Sequence, residues 1–339
     1  MPTSSAPVLF CVAFGEVWTM KRLILTGSGI RLARSGLAEA VIEFRFRFVW
    51  GPLPPVEEFE DYFGARSSQG PGRHWSDWCS WRLFSDEVRA RRHLSLVEYC
   101  EPYDVVELWF EQYPNDQLQL VFLLAFFRYH PETAARLKLR LVDFDLTVPA
   151  EEMPEPEDVL TVDVGPVELN TGSAIWSAYC AVTPMPFLDC LQSDLSSLPF
   201  LRSAQLALVA ELPSRATGLG ATEMRLLELI ARYDGFSALG LLHRLWRPGN
   251  VFGELELFSL LDGLTDGPSP AVTDLERPQS KRSWHARYAA SYPRLTEFGE
   301  AIIAHQEDFS SHNPIDRWWG GTHLTNDNLW RIAPTLTKP

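Results

Sequence analysis

Residues 103–144 constrain the fold of this chain more than any other stretch. Tyr103-Asp104-Val105-Val106-Glu107-Leu108-Trp109-Phe110 reads as a buried strand. Residues 117–127 then run Gln-Leu-Gln-Leu-Val-Phe-Leu-Leu-Ala-Phe-Phe, apolar almost all round a helix, and 137–144 read as a second strand. A helix without a wide polar face needs cover on every side. A strand, a helix and a strand in succession form a parallel pair with the helix laid on the sheet. Upstream, 21–25 are strand-like, 26–29 are a turn and 30–36 have helical spacing. Residues 41–49 alternate apolar side chains with Glu43, Arg45 and Arg47, the period of a half-buried strand. The expectation for 20–145 is an α/β domain, an open and mainly parallel Rossmann-like sheet with helices. Asp116 is expected to cap the apolar helix.

The rest of the chain reads more loosely. Trp50-Gly51-Pro52-Leu53-Pro54-Pro55 ends the second strand. Residues 59–92 are expected to be mostly helical, with a polar break at 67–73. Residues 146–212 form an acidic connecting region, loop-rich through Pro149, Pro154, Pro156 and Pro166, then helical over 171–212 with a break at Pro184 and Pro186. Residues 212–221 read as a linker. In 221–339, Thr222 caps an amphipathic helix, Ser237 caps a second helix to 246, and 253–264 form a third. A short hairpin arm at 268–275 and a helix at 295–303 complete a mostly helical, winged-helix-like domain. Residues 1–19 stand as an N-terminal extension.

Charge narrows the function classes. The chain of 339 residues carries a formal charge of −14. Residues 141–201 hold eleven acidic residues and no Lys or Arg. The third C-terminal helix carries Glu254, Glu256 and Asp262 and no basic residue. A helix meant for a DNA groove needs positive charge near phosphates, so nucleic acid is not an expected partner. The five cysteines show neither a CxxC pair nor zinc spacing, which suits a reducing compartment. The apolar run at 7–14 is too short to cross a bilayer, so a cytoplasmic chain without a membrane span is expected.

Several residues are candidates for chemistry. Gly27, Ser28 and Gly29 lie between a strand and a helix, where backbone N–H groups can hold an anion; the alternative is a tight turn. Asp116 and Gln117 follow a strand end, and with Glu111 they could form a carboxylate site for proton transfer or a divalent metal. Gly27, Gly51 and Glu111 are expected to converge on one sheet edge. Arg66, Arg73 and His74, near Trp75 and Trp78, could grip an anion. In the tail, Asp316, Arg317, Trp318, Trp319 and His323 surround Gly320-Gly321. They are expected to form either a structural clamp, with both Trp rings buried and Asp316 accepting from backbone or Arg, or an interface site.

Motifs in one order resemble a bacterial family, domain of unknown function 1835 (DUF1835) with its companion C-terminal domain. They are the first βα turn, Trp50-Gly51-Pro52-Leu53, Leu108-Trp109-Phe110-Glu111 with Asp116-Gln117-Leu118-Gln119-Leu120, Thr222-Glu223 with Leu226-Leu227, and Asn313-Pro314-Ile315-Asp316-Arg317-Trp318-Trp319-Gly320-Gly321-Thr322-His323-Leu324. The resemblance covers roughly 20–333. It implies architecture and assigns no activity. The chain departs from that family's polar positions at Leu23 or Ile24, at Gly27-Ser28-Gly29, at Phe46 and at Gln112-Tyr113. The expected function is binding of a small molecule or nucleotide at the sheet edge, with cofactor and reaction unassigned. The alternatives are a protein-interaction module using the acidic 141–201 segment, and a DNA-binding regulator.

Overall fold

The structure is a computed structural model, and it describes residues 20–53, 74–80, 85–147, 158–245, 250–276 and 284–332. Its sheet is built from β1 (Arg22–Thr26), β2 (Ala40–Glu43), β3 (Val105–Glu111), β4 (Leu137–Val142) and β5 (Thr161–Asp163). The strand order is β2-β1-β3-β4-β5. The first four are parallel, and β5 closes the edge antiparallel to β4. The chain is therefore an α/β protein, as the alternation of apolar strands and helices predicts.

Helices fill the connections. α1 (Ile30–Ser35) follows β1 and ends on Gly36 in the left-handed region at φ +74°. α2 (Asp86–Ala90) and α3 (Leu96–Cys100) precede β3. α4 (Pro114–Phe127) and the single turn α5 (Pro131–Ala134) join β3 to β4. α4 has buried side chains on all sides, because β3 lies under it while α6 (Pro166–Tyr179) and α8 (Leu201–Ala210) cover the rest. Gly172 makes the closest approach: a Cβ there would lie 2.6 Å from the Leu124 Cβ. Each large apolar side chain buried in this layer contributes about 1.5–3 kcal/mol. The core runs on without a break into the C-terminal half.

That half contains α7 (Met185–Asp189), α9 (Ala221–Arg232), α10 (Ala238–Leu245), α11 (Glu254–Thr265), α12 (Trp284–Ala290), α13 (Glu297–Ile303) and α14 (Phe309–His312). β8 (Asp316–Trp319) and β9 (Thr322–Thr325) form a hairpin. Among the described residues no helix is long and apolar enough to cross a membrane.

Several expected boundaries move, each for a local reason. β2 stops at Glu43, although the alternation continues to Val49. The chain leaves the sheet after Phe44, and Phe44, Phe46 and Phe48 stack on one another at 5.1 and 5.3 Å. The Phe44 N–H still donates to the Thr26 carbonyl of β1 and Phe44 bridges to Cys79, but beyond it side chains hold the backbone: Asn115 and Gln119 donate to the Phe46 carbonyl, and Asn115 accepts from the Phe48 N–H. Asp116 does not cap α4, because the helix begins at Pro114 and Tyr113 is its N-cap residue. The 171–212 helix starts earlier, at Pro166, where Glu168 accepts from the Gly165 N–H. Residues 212–221 are no open linker: Leu212, Thr217 and Leu219 are buried, and Ser214 bridges to Ile332. Gly220 rather than Thr222 caps α9, with Glu223 closing back on its N–H, and Ser237 caps α10 as expected. The hairpin expected at 268–275 does not form. β6 (Val272–Thr273) pairs with β7 (Arg294–Leu295) across α12, so strand order alone could not show the partner. Within 59–92, the described residues give a 3-10 turn at Trp75–Trp78 and the helix α2; the break at 67–73 lies outside them.

Candidate functional site

Parallel strands bring their C-terminal ends to one edge, and the turns beyond those ends make a crevice. Here β1 delivers Gly27 and Ser28, β3 delivers Glu111 and Tyr113, and the loop after β4 delivers Asp145. They line a cavity of about 430 Å³. Arg45 and Arg47 line it from the segment after β2, and Asn250, Phe252 and Gly253 close it from the helical half. The far wall is anchored, because Arg47 donates to both oxygens of Glu256 on α11, at 2.7 and 3.1 Å.

The centre of the crevice is a carboxylate pair. Glu111 ends β3 and is 1% exposed. Its Oε1 accepts from the Leu146 N–H at 2.9 Å, and burial pushes its carboxyl above the usual range. Asp116 stands in the first turn of α4, and its Oδ2 accepts weakly from the Glu111 N–H at 3.4 Å. The residue is half-buried and lines the cavity, with protein packed densely around its carboxyl. Burial first, and the charge of Glu111 second, push Asp116 up to about 7, against smaller opposing effects of that N–H and of Arg47. Two close carboxyls in low dielectric cannot both ionise cheaply, so the pair keeps a proton near neutrality. Gly27 leaves the room for this: a Cβ there would meet Asp116 Oδ1 at 2.7 Å.

The turn before α1 holds an anion already, one of the protein's own. The Gly29 N–H donates to Glu43 Oε2 at 3.1 Å, and the Ser28 N–H donates to Thr26 Oγ1 at 3.1 Å. Gly29 is therefore no open phosphate cradle. Gln117 is also a support rather than a contact. It is buried, and its Nε2 donates to the Glu111 carbonyl at 2.7 Å, fixing the strand end that carries the pair.

Other expected site residues lie elsewhere. His74 is 3% exposed and caps the 3-10 turn. Its ring bonds Ser76 and the Leu94 carbonyl, so it is a structural residue. Arg66 and Arg73 lie outside the described residues. Trp75 belongs to the core beside Tyr99, while Trp78 is partly exposed. Gly51, at φ +75°, does not join Gly27 and Glu111; it lines a second cavity of about 200 Å³ together with Arg317, Trp318 and Trp319. The reason is the departure of 45–49 from the sheet, which carries Gly51 away from the strand ends.

The tail divides the two tryptophans. Trp319 is buried, donates from Nε1 to the Leu208 carbonyl at 2.8 Å, and packs edge-on against Tyr179 and Phe187. Trp318, its neighbour in an antiparallel strand, points to the other face. It is 36% exposed and stacks on His323 at 4.6 Å. Among the described residues Asp316 accepts from neither backbone nor Arg; its partner is His323 at 2.7 Å, and its side chain is 80% exposed. Arg317 pairs with Glu223 at 2.7 Å. Gly320 and Gly321 press against the carbonyls of Tyr179 and Cys180, where a Cβ would collide. The clamp is thus Trp319, Arg317 and the two glycines.

Sequence reasoning missed Tyr113, Arg47, Asn115, Gln119 and Asp145 as parts of the crevice. Only the Asn and Gln inside an apolar helix gave a signal, since buried amides need partners. Among the described residues no three His, Cys, Asp or Glu side chains form a set able to hold a metal ion. The fold and crevice define an α/β protein with a carboxylate-lined cavity at its sheet edge. Compared with known families and curated proteins, the chain finds no matching family model and no matching curated relative. The resemblance to DUF1835 rests on the motifs alone.

Proposed function

We propose that this protein binds a small polar organic molecule in the sheet-edge crevice, with the Glu111–Asp116 pair as its principal contact. The observation that carries the reading is the buried carboxyl pair on the wall of a cavity of about 430 Å³. Such a pair accepts hydrogen bonds strongly and can exchange one proton near pH 7. The ligand is one rich in donors, a hydroxylated molecule or an amine. Phosphate groups fit poorly, because Glu43 occupies the α1 turn and Glu111, Asp116 and Asp145 face the same space. A nucleotide would have to bind through its sugar and base edges.

A DNA-reading role gains no support from α11. Glu256 is tied to Arg47, and Leu257, Phe258, Leu260, Leu261 and Leu264 are buried, so the helix is committed to packing.

The test is a thermal-shift and calorimetric screen of polyols, amines and nucleotides, run on the protein and on Asp116→Asn. The reading expects binding by a polyol or amine that weakens at least about tenfold in Asp116→Asn, the cost of losing one charged hydrogen-bond partner. Binding confined to phosphorylated compounds, and indifferent to Asp116→Asn, would refute it.

A further inference from the structure

The second cavity, about 200 Å³, lies where Trp50 and Gly51, the start of α9 and β8 meet. It is smaller than a typical drug-sized pocket and suits one ring with a small substituent. Trp50 and Trp318, both about two-fifths exposed, line it together with Phe252. Four ionisable groups line the cavity: Asp316 stands at the mouth, 80% exposed and paired with His323, while Arg317, Glu223 and Glu211 sit among the rings. Arg317 Nη1 donates to Glu223 Oε2 at 2.7 Å, while its Nη2 is buried and has no hydrogen-bond partner among the described residues. Glu211, at the end of α8, accepts from the Thr222 N–H at 3.1 Å and from its hydroxyl at 2.6 Å. Burial, and more weakly Glu223, push the Glu211 carboxyl up to about 7.

These groups select a ligand by elimination. A buried N–H without an acceptor calls for one. A free anion would supply it, but Glu223 already neutralises Arg317 and Glu211 adds no positive charge. A cation would meet the guanidinium at close range. A neutral group that carries an acceptor and a donor side by side satisfies both ends, and the indoles favour a flat ring next to it.

We propose that this cavity binds a small, neutral, planar aromatic carboxamide or lactam. Its carbonyl accepts from Arg317 Nη2, its amide N–H donates to the Glu211–Glu223 carboxyl pair, and its ring packs on Trp50 and Trp318. The site is separate from the sheet-edge crevice, although Phe252 lines both.

Benzamide, benzoate and benzylamine share one ring and differ only in the head group. Each is titrated at neutral pH into the full chain, into Arg317→Lys, into Trp318→Ala and into Asp116→Asn, with tryptophan fluorescence and calorimetry as readouts. Benzamide should saturate with a Kd on the order of 1 mM, as a fragment of this size allows, and bind more tightly than the other two. Arg317→Lys keeps a positive charge for Glu223 but loses the second donor, and should weaken benzamide about tenfold. Trp318→Ala removes a half-exposed ring and should weaken it about 3- to 10-fold. Asp116→Asn should leave benzamide binding unchanged. No saturable benzamide binding, or binding untouched by Trp318→Ala, overturns the site. Tighter binding of benzoate or benzylamine overturns the ligand class. If Arg317→Lys does not fold, Trp318→Ala and the three head groups still decide.

Discussion

The sheet-edge crevice and the C-terminal hairpin each carry an aspartate in a segment that the sequence marks out, and the two live under opposite conditions. Asp116 is enclosed beside a second carboxyl and holds its proton up to about 7. Asp316 stands in solvent and leans on His323 across the hairpin. The hairpin nevertheless contributes more to holding the molecule together, through Trp319 and the glycines beside it. The crevice works the other way, since it concentrates like charge in a buried place at a cost to stability. Segments that resist explanation by packing are the better candidates for binding, and by that measure the crevice outranks the tail.

The contrast can be broken most forcefully at Trp319. Trp319→Ala removes a buried ring and strands the Leu208 carbonyl, and should cost about 3–5 kcal/mol in chemical denaturation; a loss below that of Trp318→Ala would end the clamp reading. Gly321→Ala should follow at about 1–3 kcal/mol, because its methyl must displace the Cys180 carbonyl. A melt equal to that of the parent chain would show that the hairpin does not press on α6.

Asp116→Asn should move stability the other way, and only at high pH. The folded pKa of Asp116, about 7, lies above its ordinary value of 3.8. The folded state therefore binds more protons than the unfolded state between those values. Its stability falls as pH rises through that window and stays low above it. The variant should match the parent near pH 4 and exceed it on the order of 1–2 kcal/mol near pH 8. Denaturant melts at both pH values read this out, and a variant less stable at high pH would remove the carboxylate-pair assignment. The smallest effects belong to the exposed side of the hairpin. Trp318→Ala should cost less than about 1 kcal/mol, and Asp316→Asn should stay within about 0.5 kcal/mol. A large loss for Asp316→Asn would mean that the His323 pair is structural after all.

Much of the sheet was legible in the sequence, because β1, β3, β4 and α4 are local patterns with long apolar runs. Glu111 and Asp116 were legible as a pair because only four residues of strand end and helix start join them. Gly51 and His74 were misplaced for a common reason. A Gly in a turn and a His before a Trp look alike whether they face a ligand or satisfy a cap, and only neighbours distant in sequence decide. His74 finds Leu94, and Gly51 finds Arg317 and Trp318. The alternation of 41–49 misled for a related reason, since period 2 reports an extended chain and not the partner that it pairs with.

By itself the sequence determined the α/β class, the buried α4, the parallel strand ends that must share an edge, and the acidity of α11. These follow from periodicity and charge, which are properties of contiguous residues. Tertiary structure decided the rest. It turned residues 45–49 off the sheet onto Asn115 and Gln119, tied Arg47 to Glu256 to close the crevice, and set Trp319 inward and Trp318 outward. Each of these depends on contacts between residues far apart in the chain, and a one-dimensional pattern records which residues need partners without saying where the partners are.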